Sequence, residues 1–448
     1  MKIYKRILIL TCMSAFLTAC SFSGEKGSGN AQATQGSQSS ENSSQASGGL
    51  DDAAAQKNEN GISQGITIDD IFSKRDLSGE YDAGESISIE LSDGSISASS
   101  DTVTVDGGDI TLTQEGTYIF SGSINNGRII VDAGKSDKIQ LVLNNASVTS
   151  QSSAAIYVKK ADKVFVTLAE GTQNTLSNGG TFNAEGGDKI DAVIFSKDDL
   201  TLNGAGTLSI ASPAGHGVES KDELRIAGGT YGLETASHGL SANDELSITD
   251  SDISINAGKE GIEGTVVNIF DGNIDITAAN DGINAANKNL SEANDVSINI
   301  MGGNVTIDAQ GDGIDANGNI SVSGGNIMIM GPSDNENAPI DYDLSATISG
   351  GVVAAFGYSG EAQNFGEASS QGSILVKLDD QPNGALVQLI DSSGNALIES
   401  RTDKAFNCVV LSCPYIKAGE TYTIKAGEYE MQVDMTSLIY GSGYKRLI

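Results

Sequence analysis

The sequence predicts an all-β protein, a parallel β-helix with coils of about 22 residues, and two observations support this fold class. The phrases HGVES, HGLSA, EGIEG, DGINA and DGIDA begin at positions 216, 238, 260, 281 and 312. A repeat of this length is typical of a solenoid. Each repeat also holds short stretches of alternating apolar and polar residues separated by Gly or Asx turns, whereas the 3.6-residue period of a helix is absent.

The apolar residue of each phrase is expected to point into the core of the stacked coils. These residues form one inward column: Val218, Leu240, Ile262, Ile283 and Ile314. The step from 281 to 312 is longer than the others, and NKNLSEAND at 287–295 is predicted to be an inserted loop. The β-helix is predicted to span residues 65–371.

Composition and charge restrict the partners of the chain. Its 448 residues include 55 Gly, 5 Pro and no Trp, which suits many short strands joined by tight turns. The net charge of -33 repels phosphate backbones and anionic membrane surfaces, so nucleic acid is excluded as a partner. An acidic ligand is compatible with this charge only if divalent cations lie between the two surfaces.

Residues 1–19 are predicted to be a lipoprotein signal peptide. A basic start precedes an apolar run that is too short to span a bilayer comfortably. The sequence LTAC at 17–20 resembles the lipobox of bacterial lipoproteins, which implies cleavage before Cys20 and lipid on its sulfur. The alternative is a plain signal peptide with an incidental cysteine. We expect an exported protein, lipid-anchored to the outer face of the bacterial cell membrane.

The segments that flank the β-helix differ from it in composition and residue pattern. Residues 20–64 are rich in Ser and Gly and are predicted to be a disordered tether. TIDDIFSKRD at 67–76 is predicted to be a short helix that caps the solenoid.

From residue 372 the alternating stretches become longer, and residues 372–448 are predicted to form a β-rich C-terminal cap within the same unit. Cys408 and Cys413 lie on one predicted strand about 16 Å apart, too far for a disulfide, so buried thiols are expected.

Four features between about residues 85 and 430 carry a family resemblance. They are AAIYVKKADKVFVTLAEGTQNTLS, AVIFSKDDLTLNGAGTLSI, the repeated DGI phrases and AFNCVVLSCPYIKAGETYTI. Together they resemble a bacterial family of carbohydrate-binding-domain proteins. That family's fold is similar to pectate lyases, and its studied type binds calcium and acidic plant polysaccharide. The resemblance implies a pectate-lyase-like β-helix in which residues 65–371 are a carbohydrate-binding domain.

The acidic residues of the phrases are expected to stack, because equivalent residues of successive coils lie about 4.8 Å apart. One stack contains Glu260, Asp281 and Asp312, and a second contains Glu219, Glu263 and Asp315 with Ser241 and Asn284 interleaved. Two carboxylates ~5 Å apart repel by about 3 kcal/mol at an effective dielectric near 20. A Ca²⁺ ion, with ligand distances of ~2.3–2.6 Å, fits between two rungs and removes this repulsion.

Calcium is therefore the predicted cofactor, and the acids mark a metal-binding edge. The candidate metal ligands are Asp191, Glu260, Glu263, Asp281, Asp312 and Asp315. In each phrase the glycine keeps the backbone close and the apolar residue fills the core. The alternative interpretation is a solvated turn in which Asp and Asn satisfy turn amides.

His216 and His238 are the two histidines of the chain and occupy equivalent rungs. A zinc pair is one interpretation, but no third ligand recurs at fixed spacing, which favours a stacked ladder of turn residues.

The resemblance to pectate lyases raises the question of catalysis. Such enzymes use a Lys or Arg base, and Lys197 and Lys221 in the two SKD phrases are the candidates. A base must be neutral to act, yet these lysines lie among acids that keep them protonated. Ion pairing along a solvated face is the favoured interpretation.

We therefore expect the domain to bind acidic polysaccharide, such as polyuronate, in a calcium-dependent way without cleaving it. A calcium-dependent polysaccharide lyase and a structural surface or adhesion protein are the alternatives. The only expected membrane contact is the lipid anchor.

Overall fold

The computed structural model describes residues 65–287 and 296–441, and nearly all of its regular structure is β-strand. Cys20, the predicted signal peptide and the predicted tether lie outside the described residues, as does most of the predicted inserted loop. Within the described part of the chain, no helix is long and apolar enough to cross a membrane. The strands form a parallel β-solenoid with three ladders and a separate four-stranded sheet.

The three ladders run side by side along the solenoid, and from Lys163 to Tyr342 each coil contributes one strand to each ladder. The long strand Lys138–Ser150 pairs in both the first and the second ladder. The first ladder contains Ile87–Leu91, Ser97–Ala98, Gly116–Ile124, Lys138–Ser150, Lys163–Leu168, Asp199–Gly204, Leu224–Ala227, Glu245–Thr249, Val266–Ile269, Ser297–Ile300, Asn319–Val322 and Ser345–Ile348. The second contains Gln173–Asn178, Thr207–Ser212, Thr230–Thr235, Asp252–Ala257, Asn273–Ala278, Asn304–Ala309, Asn326–Met330, Val352–Gly357, Phe406–Ser412, Ser373–Gln381 and Ile439–Tyr440.

The third ladder carries the repeated phrases. It contains Val103–Asp106, Asp109–Leu112, Arg128–Asp132, Ile156–Lys160, Ala192–Ser196, His216–Ser220, Leu240–Ala242, Ile262–Gly264, Ile283–Ala285, Ile314–Ala316 and Ile340–Tyr342. Apart from the antiparallel hairpin at its start, its strands pair in parallel.

The predicted inward column is confirmed by the pairing of the third ladder. Val218 pairs with Leu240, which pairs with Ile262, and the same register continues through Ile283 to Ile314. All five side chains are buried in one large core that runs through the coils. The periodicity of the sequence therefore identified both the ladder and its inward face.

The glycine of each phrase is required by close packing between two ladders. A Cβ atom added to Gly282 would overlap Cγ2 of Ile307 in the second ladder, and one added to Gly313 would overlap Cγ2 of Ile329. Neither glycine adopts a positive φ, so the restriction is steric. The sequence Asp-Gly-Ile thus places an acid outside, brings the backbone close to the neighbouring ladder and fills the core.

The N-terminal segment differs from the prediction of one capping helix over 67–76. It forms two single-turn helices, Ile68–Ile71 and Lys74–Leu77, each with a capping box. The segment lies against the side of the first ladder, where Phe72 packs edge-on against Phe270 with ring centroids 5.9 Å apart. Buried Asp76 forms an ion pair of 2.7 Å with Lys163 of the same ladder. These lateral contacts determine where the segment packs, and helix signals in the sequence do not contain that information.

The C-terminal residues extend one ladder and cover part of its outward face. Strands Phe406–Ser412 and Ser373–Gln381 continue the second ladder by antiparallel pairing. A separate antiparallel sheet packs against outward-facing side chains of this ladder, Met328 and Phe356 among them. It contains Ala396–Arg401, Leu386–Ile390, Thr421–Ala426 and Tyr429–Asp434. Phe365, which precedes the predicted cap, is buried in the solenoid core.

The two cysteines of the described chain are buried and form no disulfide with each other, as predicted. Cys408 belongs to the solenoid core, whereas Cys413 lies in the core beneath the four-stranded sheet. The strand Phe406–Ser412 contributes to both layers, because Val410 belongs to the solenoid core and Val409 and Leu411 belong to the core beneath the sheet.

We predict that Gly282→Ala destabilises the fold by roughly 1–3 kcal/mol, because the new methyl group overpacks the contact with Ile307. Gly232→Ala is the matched control, since the space around a Cβ at Gly232 is open and its φ is not positive. Chemical denaturation of both variants measures the difference. Equal stability of the two variants would refute the steric explanation of the phrase.

Candidate metal centre

Outward-facing residues form two columns along the third ladder. The first column holds the leading residue of each phrase: His216, His238, Glu260, Asp281 and Asp312, linked through backbone hydrogen bonds of the glycines that follow them. The second column is set by strand register and holds Glu219, Ser241, Glu263, Asn284, Asp315 and Asp341. The predicted stacking of the acids is confirmed. Neighbours within a column lie one strand spacing apart, about 4.8 Å.

Three aspartates meet where the two columns approach the C-terminal end of the ladder. Asp312, Asp315 and Asp341 each offer a carboxylate oxygen, and these oxygens lie within 4.8 Å of one another. We call these three residues the aspartate cluster. The backbone holds the neighbouring acids in place, because Asp281 accepts a hydrogen bond of 2.8 Å from the Asp312 amide and Asp312 accepts one from the Ala338 amide.

Burial and the charges of neighbouring acids disfavour the ionised forms of Asp281, Asp312 and Asp315. Desolvation raises the pKa of Asp281 to about 6, of Asp312 to about 7 and of Asp315 to about 8. Charges of the neighbouring acids, Asp341 included, add to each shift. Near neutral pH the group therefore either retains protons or binds a cation, because an uncompensated set of buried charges is costly.

The donor atoms around the aspartate cluster fit a hard cation. They are carboxylate oxygens, and the neighbouring rung adds Asn284, whose buried Oδ1 has no hydrogen-bond partner. An amide oxygen left without a donor is a suitable neutral ligand for Ca²⁺, which takes six to eight oxygens in flexible geometry. Asp312, Asp315 and Asp341 would hold the ion, and Asp281 and Asn284 lie on the adjacent rung.

Glu260 and Glu263 have a different partner. His238 lies between them, with Nε2 at 2.8 Å from Glu260 and Nδ1 at 2.6 Å from Glu263. Burial alone would lower the pKa of His238, but hydrogen bonds to the two glutamates raise it to about 9. Burial opposes ionisation of Glu260 as well, yet the hydrogen bond from His238 lowers its pKa to about 2. The structure therefore supplies these two predicted metal ligands with an internal imidazolium.

Asp191, the remaining predicted ligand, lies apart from the aspartate cluster. It precedes strand Ala192–Ser196 and groups with His216 and Glu219, each offering a ligand atom within 4.8 Å of the others. The rings of His216 and His238 meet edge-on with centroids 4.5 Å apart, and the two histidines lie on neighbouring rungs.

The two candidate lysines are both engaged in ion pairs. Lys197 Nζ lies 2.9 Å from Asp188 Oδ2, and Lys221 pairs with Glu219 on the same strand end. Four steps of the ladder separate Glu219 from Asp315, which corresponds to about 19 Å at ~4.8 Å per step. Neither SKD lysine is placed beside the aspartate cluster as a pectate-lyase base would need to be.

Asp341 and the role of His238 were not predicted from the sequence. Asp341 lies in PIDYD, which lacks the acid-Gly-Ile phrase, although Ile340-Asp341 repeats Ile314-Asp315 at a distance of 26 residues. The repeated Ile-Asp dipeptide was the sequence signal that could have identified Asp341 as a member of the column. The position of His238 between two glutamates depends on side-chain rotamers and burial, for which the repeat contains no signal.

A family model described as carbohydrate-binding domain-containing protein matches residues 106–287 and 238–434 of the chain. A curated relative, a carbohydrate-binding domain-containing protein of Acetivibrio thermocellus, is 37% identical over 131 residues. This match covers 29% of the chain and 46% of the relative, so the chain spans about half of the relative's length.

A solved structure, the polysaccharide lyase-like protein from C. thermocellum in a gadolinium derivative, is also similar to the chain. The two are 30% identical, with 60% of this chain and 93% of that chain covered and a TM-score of 0.44.

We predict that Asp315→Asn changes thermal stability in opposite directions with and without Ca²⁺. The pKa of Asp315 is about 8 in the fold against 3.8 for the free side chain, so its ionisation opposes folding as pH rises toward 8. At pH 8 without Ca²⁺ the variant should melt about 2 °C above the wild type. With Ca²⁺ the wild type should gain stability by mass action and melt above the variant, which lacks one charged ligand.

Differential scanning calorimetry in EDTA and in millimolar Ca²⁺ measures both effects. Asp106→Asn is the control, since Asp106 is an exposed acid at the start of the same ladder. A wild-type melting curve that does not respond to Ca²⁺ would favour the solvated turn over the metal centre.

Proposed function

The chain belongs to the family of carbohydrate-binding domain-containing proteins, and on this basis we propose that it binds acidic polysaccharide in a calcium-dependent way without cleaving it. The aspartate cluster is the observation that carries the proposal. Burial and, after it, the charges of neighbouring acids raise the pKa values of Asp312 and Asp315, as expected for carboxylates held close together without a counter-charge.

The charge of the chain selects the class of polysaccharide. A net charge of -33 repels a polyuronate, so binding requires cations that the two partners share. Bound Ca²⁺ would neutralise the aspartate cluster and offer its remaining coordination positions to carboxylates of the sugar chain. Asp312, Asp315 and Asp341 orient the cation at the outward face, where the ladder repeats along the solenoid axis. A linear polymer of acidic sugars suits this periodic edge.

Binding without cleavage is supported by the placement of the lysines. The pectate-lyase type of reaction needs a neutral base beside the cation-bound uronate. Lys197 and Lys221 are engaged in ion pairs with Asp188 and Glu219. Lys221 also lies about four ladder steps from Asp315. Both features argue for a binding module, with the lyase and the structural protein as alternatives.

We also propose that the chain is a lipoprotein anchored through Cys20 to the outer face of the cell membrane. The proposal rests on LTAC at 17–20 and on the Ser- and Gly-rich segment that follows it. Cys20→Ala should release the protein into the medium. Recovery of this variant in the membrane fraction would contradict the anchor and leave the binding function unaffected.

We predict that polygalacturonate retards the purified protein in affinity electrophoresis with Ca²⁺ and that EDTA abolishes the retardation. Asp312→Asn should weaken retention roughly tenfold or more, because it removes a charged ligand from the proposed cation site. Asp106→Asn again serves as the control, and a neutral glucan in the gel tests whether charge is needed.

The same mixtures, followed by ultraviolet absorbance at alkaline pH, report unsaturated products of a lyase. Flat absorbance with calcium-dependent retention supports the binding module. Rising absorbance that is lost in Lys197→Ala or Lys221→Ala would establish the lyase instead. Absence of both signals would leave the structural protein as the function.

A further inference from the structure

Asp191, His216 and Glu219 form a group that the proposed polysaccharide site does not use. They lie on adjacent rungs of the third ladder, because Ala192 pairs with His216 and Phe195 pairs with Glu219. Their ligand atoms lie within 4.8 Å of one another. The group differs from the aspartate cluster in one chemical respect, since it offers an imidazole nitrogen as well as carboxylate oxygens.

Two lysines hold one oxygen of each carboxylate and leave the other oxygen free. Lys189 Nζ lies 2.8 Å from Asp191 Oδ2, and Lys221 Nζ pairs with Glu219 Oε1. The remaining atoms, Asp191 Oδ1 and Glu219 Oε2, are buried and have no hydrogen-bond donor. Glu219 as a whole is only 6% exposed. Outer partners that fix the orientation of a carboxylate in this way are a regular feature of metal sites.

His216 is the histidine that remains available as a ligand. Its neighbour His238 is held at both nitrogens by Glu260 and Glu263, whereas His216 Nε2 lies 3.9 Å from Asp191 Oδ2. Asp191 thus lies farther from the His216 ring than Glu260 and Glu263 lie from the His238 ring, and a neutral imidazole is the form that coordinates metals.

We propose that Asp191, Glu219 and His216 form a binding site for a divalent transition metal of the zinc class. Zn²⁺ takes His nitrogen and Asp or Glu oxygen at about 2.0–2.2 Å, whereas Ca²⁺ prefers oxygen alone. Three protein ligands leave a fourth position for water or for an oxygen of a ligand. The site is separate from the aspartate cluster and does not depend on polysaccharide binding.

One contact of His216 has to open when a metal binds. His216 Nδ1 accepts a long hydrogen bond of 3.3 Å from the His238 amide. Coordination through Nε2 moves the imidazole proton to Nδ1 and opens this contact, and the distance shows that it is a weak one.

The test is isothermal titration of the full chain, stripped with EDTA and dialysed, with ZnCl₂ in the absence of polysaccharide. We expect one Zn²⁺ bound at the site. Glu219→Gln and His216→Ala should each weaken this binding by more than the roughly 10–100-fold that loss of an outer partner costs. Asp106→Asn should leave Zn²⁺ binding unchanged, because Asp106 is an exposed acid at the start of the ladder and belongs to neither group of ligands.

Cobalt gives a readout that needs no variant. Co²⁺ added to the wild-type chain should produce the visible absorption of a four-coordinate nitrogen and oxygen site, and Zn²⁺ should remove it. Absence of saturable Zn²⁺ binding would overturn the proposal, as would binding that survives in both Glu219→Gln and His216→Ala or is lost in Asp106→Asn. Failure of the calcium-dependent function would show in the polysaccharide assay alone, so the two proposals fail separately.

Discussion

Backbone hydrogen bonds of the third ladder hold equivalent residues of successive coils about 4.8 Å apart, and the chemistry of the outward face depends on this spacing. The register of the third ladder is determined by the residues that face the solenoid core. Ile283 and Ile314 fill the core, and Gly282 and Gly313 allow the backbone to approach the second ladder. With the inner side determined in this way, the acids of the phrases have no freedom to move apart along the axis.

The chain meets the resulting repulsion in two different ways. On the rungs of Glu260 and Glu263, His238 supplies a positive charge between the two carboxylates, with its ring nitrogens 2.8 and 2.6 Å from their oxygens. Farther along the ladder no histidine is present among the described residues, and Asp312 and Asp315 have raised pKa values instead. The same electrostatic problem is therefore solved internally on one segment. On the other it is met by protons or, as we propose, by a cation from outside.

The repeat allowed much of the fold and part of the site to be predicted. A period of about 22 residues gave the inward column from Val218 to Ile314 and the stacking of the acids, because both follow from register alone. Asp341 was missed because its coil lacks the glycine phrase. Which acid pairs with His238, and the lateral docking of the segment that contains Phe72, depend on side-chain packing between residues far apart in sequence. A local pattern does not encode such contacts.

The central claim is that the aspartate cluster is a cation site, and a crystal structure of the protein grown with Ca²⁺ tests it most directly. We expect anomalous density coordinated by Asp312, Asp315 and Asp341 at about 2.3–2.6 Å from their carboxylate oxygens. Density that is explained by water alone, with the three carboxyl groups hydrogen-bonded to one another, would contradict the claim.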